Sequence, residues 1–79
     1  MRLNVLVFAS WADAFGGPAV DVSVPDGATV DDLLDAIRQL NPGRGLPPAA
    51  VAVNEAYVER SYRLSAGDEV AIIPPVAGG

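Results

Sequence analysis

Apolar and polar residues alternate from the first positions of the chain. Leu3, Val5 and Val7 fall on one side, and Asn4, Leu6 and Phe8 on the other. Arg2 to Ala9 is therefore expected to be a strand with one strongly apolar face and one partly apolar face. Ser10 to Gly17 reads as a connection, closed by the breaker Gly16-Gly17-Pro18. Alternation returns in Ala19 to Val24, where Val20, Val22 and Val24 oppose Asp21 and Ser23. This is the pattern of a half-buried antiparallel strand, paired in a hairpin with the first.

After the turn Pro25-Asp26-Gly27 the period changes to that of a helix. Val30, Leu33, Leu34, Ile37 and Leu40 form one apolar stripe. Thr29 is the expected N-cap, with Asp32 in the N3 position of an imperfect capping box. Asp31, Asp32 and Asp35 complement the helix dipole or form a solvated face; three carboxylates without a liganding loop are weak grounds for a cation site. Asn41-Pro42-Gly43 ends the helix, and Arg44 to Pro48 is an irregular loop. Three short strands follow: Val51 to Val53, Ala56 to Val58 across the tight turn Asn54-Glu55, and Glu69 to Pro74 after the turn Ser65-Ala66-Gly67-Asp68. Glu59 to Leu64 is a connector.

The expected order is thus β-β-α-β-β-β, an α+β arrangement with a mixed sheet and one main helix packed on one face. The last strand is expected at the centre, parallel to the first, with the helix supplying the long connection. This is the β-grasp, or ubiquitin-like, fold. Residues 1–79 read as a single domain with a flexible C-terminal tail over residues 74–79. A domain of this length buries roughly 60% of its unfolded surface and can fold alone. The composition, 51% hydrophobic, supplies a core rather than a disordered tail.

Composition narrows the chemistry. The chain has no cysteine, no histidine and no lysine; all five basic residues are arginine. Thiolate, imidazole and Schiff-base chemistry have no residue to carry them on this chain, so autonomous catalysis is not expected. The net charge of −5 opposes nucleic-acid phosphates and favours a basic protein partner. No apolar run is long enough to cross a bilayer and no signal-peptide pattern opens the chain, so a cytoplasmic location is expected. The chemical interest lies at the other end. Val76, Ala77, Gly78 and Gly79 make a thin arm reaching about 13 Å when extended. Glycine lets a narrow tunnel admit such an arm, and any chemistry there must use the carboxylate of Gly79.

The first strand ending Val7-Phe8-Ala9, the hairpin Val53-Asn54-Glu55-Ala56-Tyr57-Val58 and the run Gly67-Asp68-Glu69-Val70 leading into Pro74-Pro75-Val76-Ala77-Gly78-Gly79 together resemble the MoaD/ThiS sulfur carriers. The Pro-Pro pair resembles the molybdopterin branch more than the thiazole branch. The segment Trp11 to Phe15 departs from the charged stretch many relatives carry there. The resemblance implies a carrier that binds no cofactor itself. An E1-like, MoeB-type activating enzyme uses ATP to adenylate the Gly79 carboxylate, and a sulfur donor protein converts it to a thiocarboxylate. The tail residues Pro75, Val76, Ala77 and Gly78 then enter a MoaE-type large subunit. There the sulfurs of the dithiolene are added to cyclic pyranopterin monophosphate.

Strand parity suggests where such partners dock. With the helix over Leu3, Val5, Val7, Val70 and Ile72, the opposite face carries Leu6, Phe8 and Ile73, with Tyr57 nearby. Phe8, Tyr57 and Ile73 are the expected partner contacts. Trp11 reads either as a cap on the edge of the core or as part of an interface rim. Arg60 and Arg63 are placed near the tail's base, pairing with a partner or with Asp68 and Glu69. A carrier for thiazole or cysteine synthesis, a ubiquitin-like modifier joined through Gly79 to target lysines, and a binding module with an inert tail are the alternatives.

Overall fold

The computed structural model describes residues 1–43 and 45–74. The elements in chain order are β1 (Arg2–Val7), α1 (Ala9–Phe15), β2 (Ala19–Ser23), α2 (Val30–Leu40), β3 (Ala50–Val53), β4 (Ala56–Val58) and β5 (Val70–Ile73). They build one five-stranded mixed sheet in the order β2-β1-β5-β3-β4. β5 lies at the centre, parallel to β1 (Val5 opposite Val70, Val7 opposite Ile72) and antiparallel to β3. The β-grasp architecture expected from the alternation is the one observed.

Alternation sets the core. Leu3, Val5 and Val7 of β1, Val22 of β2, Val51 and Val53 of β3, and Val70 and Ile72 of β5 are all buried on one side of the sheet. The stripe of α2 packs against them with Val30, Leu33, Leu34 and Ile37. Each such side chain contributes about 1.5–3 kcal/mol by leaving water. Leu40, expected in the stripe, is instead 56% exposed. It is the last residue of the helix and falls at the margin of the apolar arc. The capping box, in turn, is complete. Thr29 Oγ1 accepts from the Asp32 amide (3.2 Å), and an Asp32 carboxylate oxygen accepts from the Thr29 amide (3.0 Å). Asp31 and Asp32 occupy the first turn, as dipole complement requires. Among the described residues no group of three potential ligands is placed to hold a metal.

The segment after β1 differs most from expectation. The strand stops at Val7, and residues expected to form a connection make the seven-residue helix α1. Phe8 is extended, with no side-chain cap, and Ala9 then takes φ +52°. This left-handed step swings the chain out of the sheet. Gly16, also left-handed at φ +71°, closes the helix by donating its amide to the Ala12 carbonyl. Gly16 was the readable signal: it is a helix C-cap as well as a breaker. Tertiary contacts hold this short helix in place, because seven residues are too few to be stable by propensity alone. Trp11 is fully buried, its Nε1 donates to the Pro47 carbonyl (2.9 Å), and the Arg38 guanidinium lies 5.6 Å from its ring centroid. Asn41 Nδ2 adds a bond to the Ala14 carbonyl (2.9 Å). Of the two readings of Trp11, the structure supports the core and rejects the interface rim.

Trp11 gives a sharp stability test. Trp11→Phe keeps a ring but orphans the Pro47 carbonyl and weakens the stacking with Arg38, and should cost about 2 kcal/mol. Trp11→Ala should cost about 3–5 kcal/mol, a large share of the stability of a domain this small. Urea denaturation followed by circular dichroism checks both. A loss below about 0.5 kcal/mol for Trp11→Ala would show that Trp11 is not part of the core.

Candidate functional site: the open face of the sheet

The side of the sheet away from α2 has no layer over it among the described residues. Strand register lines up Leu6, Ala71, Ala52 and Tyr57 across four adjacent strands. Two alanines in the middle of that row, between a leucine and a tyrosine, leave a shallow apolar trough of about 300 Å³. Phe8 and Ile73 close the end of the trough nearest the tail. Phe8 is 47% exposed and Tyr57 71%, while Leu6 and Ile73 are half-buried. Phe8 lies beyond the last residue of β1, but its extended backbone keeps the strand's parity and turns it outward. A second hollow of similar size, lined by Pro48, Ala49, Ala50 and Ile73, continues the apolar surface past the end of β5. A contiguous exposed apolar surface of this kind makes the face a candidate for binding.

The other end of the trough is acidic. Glu69 and Glu55 line it, one just before β5 and the other in the β3–β4 turn. Asn54 and Glu55 both have positive φ (51° and 72°), the signature of a type I′ hairpin. The turn is tied to the segment before β5 by a small network. Asn54 Nδ2 donates to Asp68 Oδ1 (3.1 Å), and the Glu69 amide donates to Asn54 Oδ1 (3.0 Å). Asp68 Oδ2 accepts from the Ser65 amide (2.7 Å). Asp68 is therefore committed to holding the loop.

Phe8, Tyr57 and Ile73, singled out by parity, come together on this face with Leu6. Gly79 and the tail residues Pro75, Val76, Ala77 and Gly78 lie outside the described residues. Arg60 and Arg63 do not reach Asp68 or Glu69. Arg60 lies 3.7 Å from an Asp31 carboxylate oxygen at the start of α2, and Arg63 Nη1 donates to the Gly27 carbonyl (3.3 Å). The isolated bridge between Thr29 and Arg63 fixes that connector beside the helix N-terminus. Sequence reading missed Ala52, Ala71, Glu55 and Glu69. Parity was the signal that could have found the alanines, since their neighbours Val51, Val53, Val70 and Ile72 point in.

A larger hollow than the trough lies elsewhere. It has a volume of about 410 Å³ and is lined by Pro25, Asp26, Asp32, Asp35 and Gln39 beside α2. Two of its carboxylates already serve the fold: Asp32 is used in the capping box, and Asp26 lies 3.3 Å from the N-terminal ammonium. No helix among the described residues is long and apolar enough to cross a membrane.

Comparison with known proteins adds to this geometry. The sequence profile of the ThiS family matches residues 5–79. A molybdopterin synthase sulfur carrier subunit of Mycobacterium tuberculosis is 37% identical over 82 residues, covering 100% of this chain and 99% of its own length. The protein of the same description from Chlamydomonas reinhardtii is 36% identical over 83 residues, covering both chains completely. Among solved structures, small archaeal modifier protein 1 of Haloferax volcanii superposes with a TM-score of 0.81 at 30% identity, over 95% of this chain and 98% of its own.

The turn at the acidic end can be tested in isolation. Glu55 holds a left-handed conformation that costs an L-residue roughly 1–2 kcal/mol, part of which glycine returns as unfolded-state entropy. Glu55→Gly should therefore raise stability by about 1 kcal/mol, read as a higher urea midpoint at unchanged m-value. A lower midpoint would mean that the Glu55 side chain supports the fold.

Proposed function

Since the chain belongs to the ThiS family, we propose that it is a sulfur carrier and serves as the small subunit of a molybdopterin synthase. The observation that carries this reading is full-length similarity to two molybdopterin synthase sulfur carrier subunits. The open apolar face beside the root of the tail supports it, because a carrier must dock while its arm is threaded elsewhere.

The chemistry follows from the poor electrophilicity of a carboxylate. A carboxylate oxygen of Gly79 attacks the α-phosphorus of ATP on an E1-like activating enzyme. Pyrophosphate leaves and an acyl-adenylate forms. Sulfide-level sulfur from a donor protein displaces AMP at the acyl carbon and leaves a thiocarboxylate. That soft nucleophile is carried into the large subunit, where its sulfur bonds to the pterin precursor and water cleaves the acyl–sulfur bond, returning the tail as a carboxylate. The tether makes the attack effectively intramolecular. The chain contributes position and the reacting carboxylate. It binds no cofactor, and the ATP belongs to its activator. Pro75, Val76, Ala77 and Gly78 present nothing larger than a valine side chain and a proline ring to the tunnel that admits them. Phe8, Tyr57 and Ile73 anchor the sheet face on the partner.

A second reading, a ubiquitin-like modifier, is favoured by the likeness to the archaeal modifier protein. The two differ in what leaves the activated tail: sulfur transfer gives no adduct, whereas modification gives a stable isopeptide on other proteins.

Intact mass after incubation with ATP, a sulfur donor and the activating enzyme tests the carrier. The mass should rise by the difference between one sulfur and one oxygen, and deletion of Gly79 should abolish the rise. An unchanged mass with a demonstrably active activator would overturn sulfur carriage. High-mass, tag-reactive adducts in cells would favour the modifier. Docking is tested by Tyr57→Ala. At this exposure the substitution should change stability by less than about 0.5 kcal/mol, yet weaken binding to the large subunit about tenfold or more, measured by calorimetry.

A further inference from the structure

The trough is asymmetric: apolar at the end where β5 stops, and acidic at the far end. We infer that Glu55 and Glu69 are the partner-selecting end of the docking face and form ion pairs with arginine or lysine side chains of the large subunit. This rests on the carrier reading above. Ile73 and Glu69 are four residues apart on and just before one strand, so the Glu69 end of the trough lies about 13 Å from the end of β5.

The first observation is that the fold does not use these two carboxylates. Among the described residues neither forms an ion pair or a side-chain hydrogen bond. The adjacent Asp68, by contrast, is held by Asn54 and by the Ser65 amide. The described arginines are also engaged elsewhere. Arg2 lies against Asp21, Arg38 stacks on Trp11, Arg60 faces Asp31 and Arg63 bonds to Gly27. The second observation is the apolar trough itself, which by its exposure calls for a protein partner and which both glutamates border. An apolar centre with a charged edge is the ordinary anatomy of a specific interface.

The sign of the edge selects the occupant. A second copy of this chain would bring the same carboxylates and a net charge of −5, so self-association across this face is opposed. Nucleic acid and anionic membrane are opposed for the same reason. What remains is a protein that is basic where it meets this end, and the carrier reading supplies one in the large subunit. These cations stand at the end of the trough away from where β5 stops and are distinct from those that hold the pterin phosphate.

Edge charges act mainly on association rate and on salt dependence. Binding of purified large subunit from the same organism should be followed kinetically for the wild type, Glu55→Gln, Glu69→Gln and the double variant. The measurements should be made at low (about 50 mM) and high (about 500 mM) salt. Glutamine keeps size and shape, so the charge alone changes; circular dichroism confirms the fold. The double variant should bind roughly threefold to tenfold more weakly at low salt, chiefly through a slower on-rate, and the difference should collapse at high salt. Glu55→Gly should bind more weakly while being the more stable protein, a combination that a purely structural glutamate would not give. Binding within a factor of two at low salt would overturn the inference. So would a loss confined to the activating enzyme. Failure of the wild type itself to bind the large subunit would instead remove the proposed function, and this inference with it.

Discussion

Everything in this molecule hangs on the parallel pairing of β1 with β5. Val5 opposite Val70, Leu6 opposite Ala71 and Val7 opposite Ile72 bring two segments from opposite ends of the chain to the centre of one sheet. A parallel pair cannot be closed by a tight turn, so the chain between must travel around the sheet. It does so through β2, α2 and the β3–β4 hairpin. The same pairing sets both faces at once. One register puts Val5, Val7, Val70 and Ile72 under the helix, and the residues between them, Leu6, Ala71 and Ile73, on the open side. A shift of one residue would exchange the two sets. The core and the open face are therefore not independent designs; they are alternate positions of the same strands.

That coupling gives the protein a useful separation. Large aliphatic residues fill the helix side, while the open side carries alanine at its centre and larger groups at its edges. Ala52 and Ala71 contribute little to burial, but they leave the space into which a partner can press. Phe8 and Ala9 manage the boundary between the two sides. Phe8 stays extended and faces out, and the left-handed Ala9 then redirects the chain so that Trp11, two residues on, enters the core. An unfavourable backbone step at one alanine thus serves a surface aromatic and a buried one together.

Much of this was legible in the sequence, and for a physical reason. Alternation and the helical stripe are direct records of burial, so the strands, the helix α2 with its Thr29 cap, the central place of β5 and the outward set Phe8, Tyr57 and Ile73 could all be read. The helix α1 could not be read in the same way. Its seven residues hold only Trp11, Ala12 and Phe15 as an apolar side, and its stability comes from Pro47, Arg38 and Asn41, which lie far along the chain. The roles of Arg60 and Arg63 were hidden for a related reason. Their partners, Asp31 and the Gly27 carbonyl, are set by how the Glu59 to Leu64 connector folds back on the entry to α2, and no local pattern reports that. Ala52 and Ala71 were passed over because a small apolar residue announces no chemistry; their meaning is the volume they leave empty.

The β3–β4 turn shows how stability and recognition compete at a single position. A type I′ hairpin favours Asn followed by Gly, and the chain has Asn54 but then Glu55. Asn54 is explained by its conformation and by its bonds to Asp68 and Glu69. Glu55 is explained by neither, since its backbone is strained and its carboxylate has no partner among the described residues. A domain that can spare only a few kcal/mol keeps this strain, while the same chain places glycine at Gly16, Gly27 and Gly67, where positive φ is also required. The difference between those sites and Glu55 is their setting: of these positions only Glu55 borders the trough. The side chain there stands at a cost to the fold, and the inferred pairing with a basic partner gives it a use.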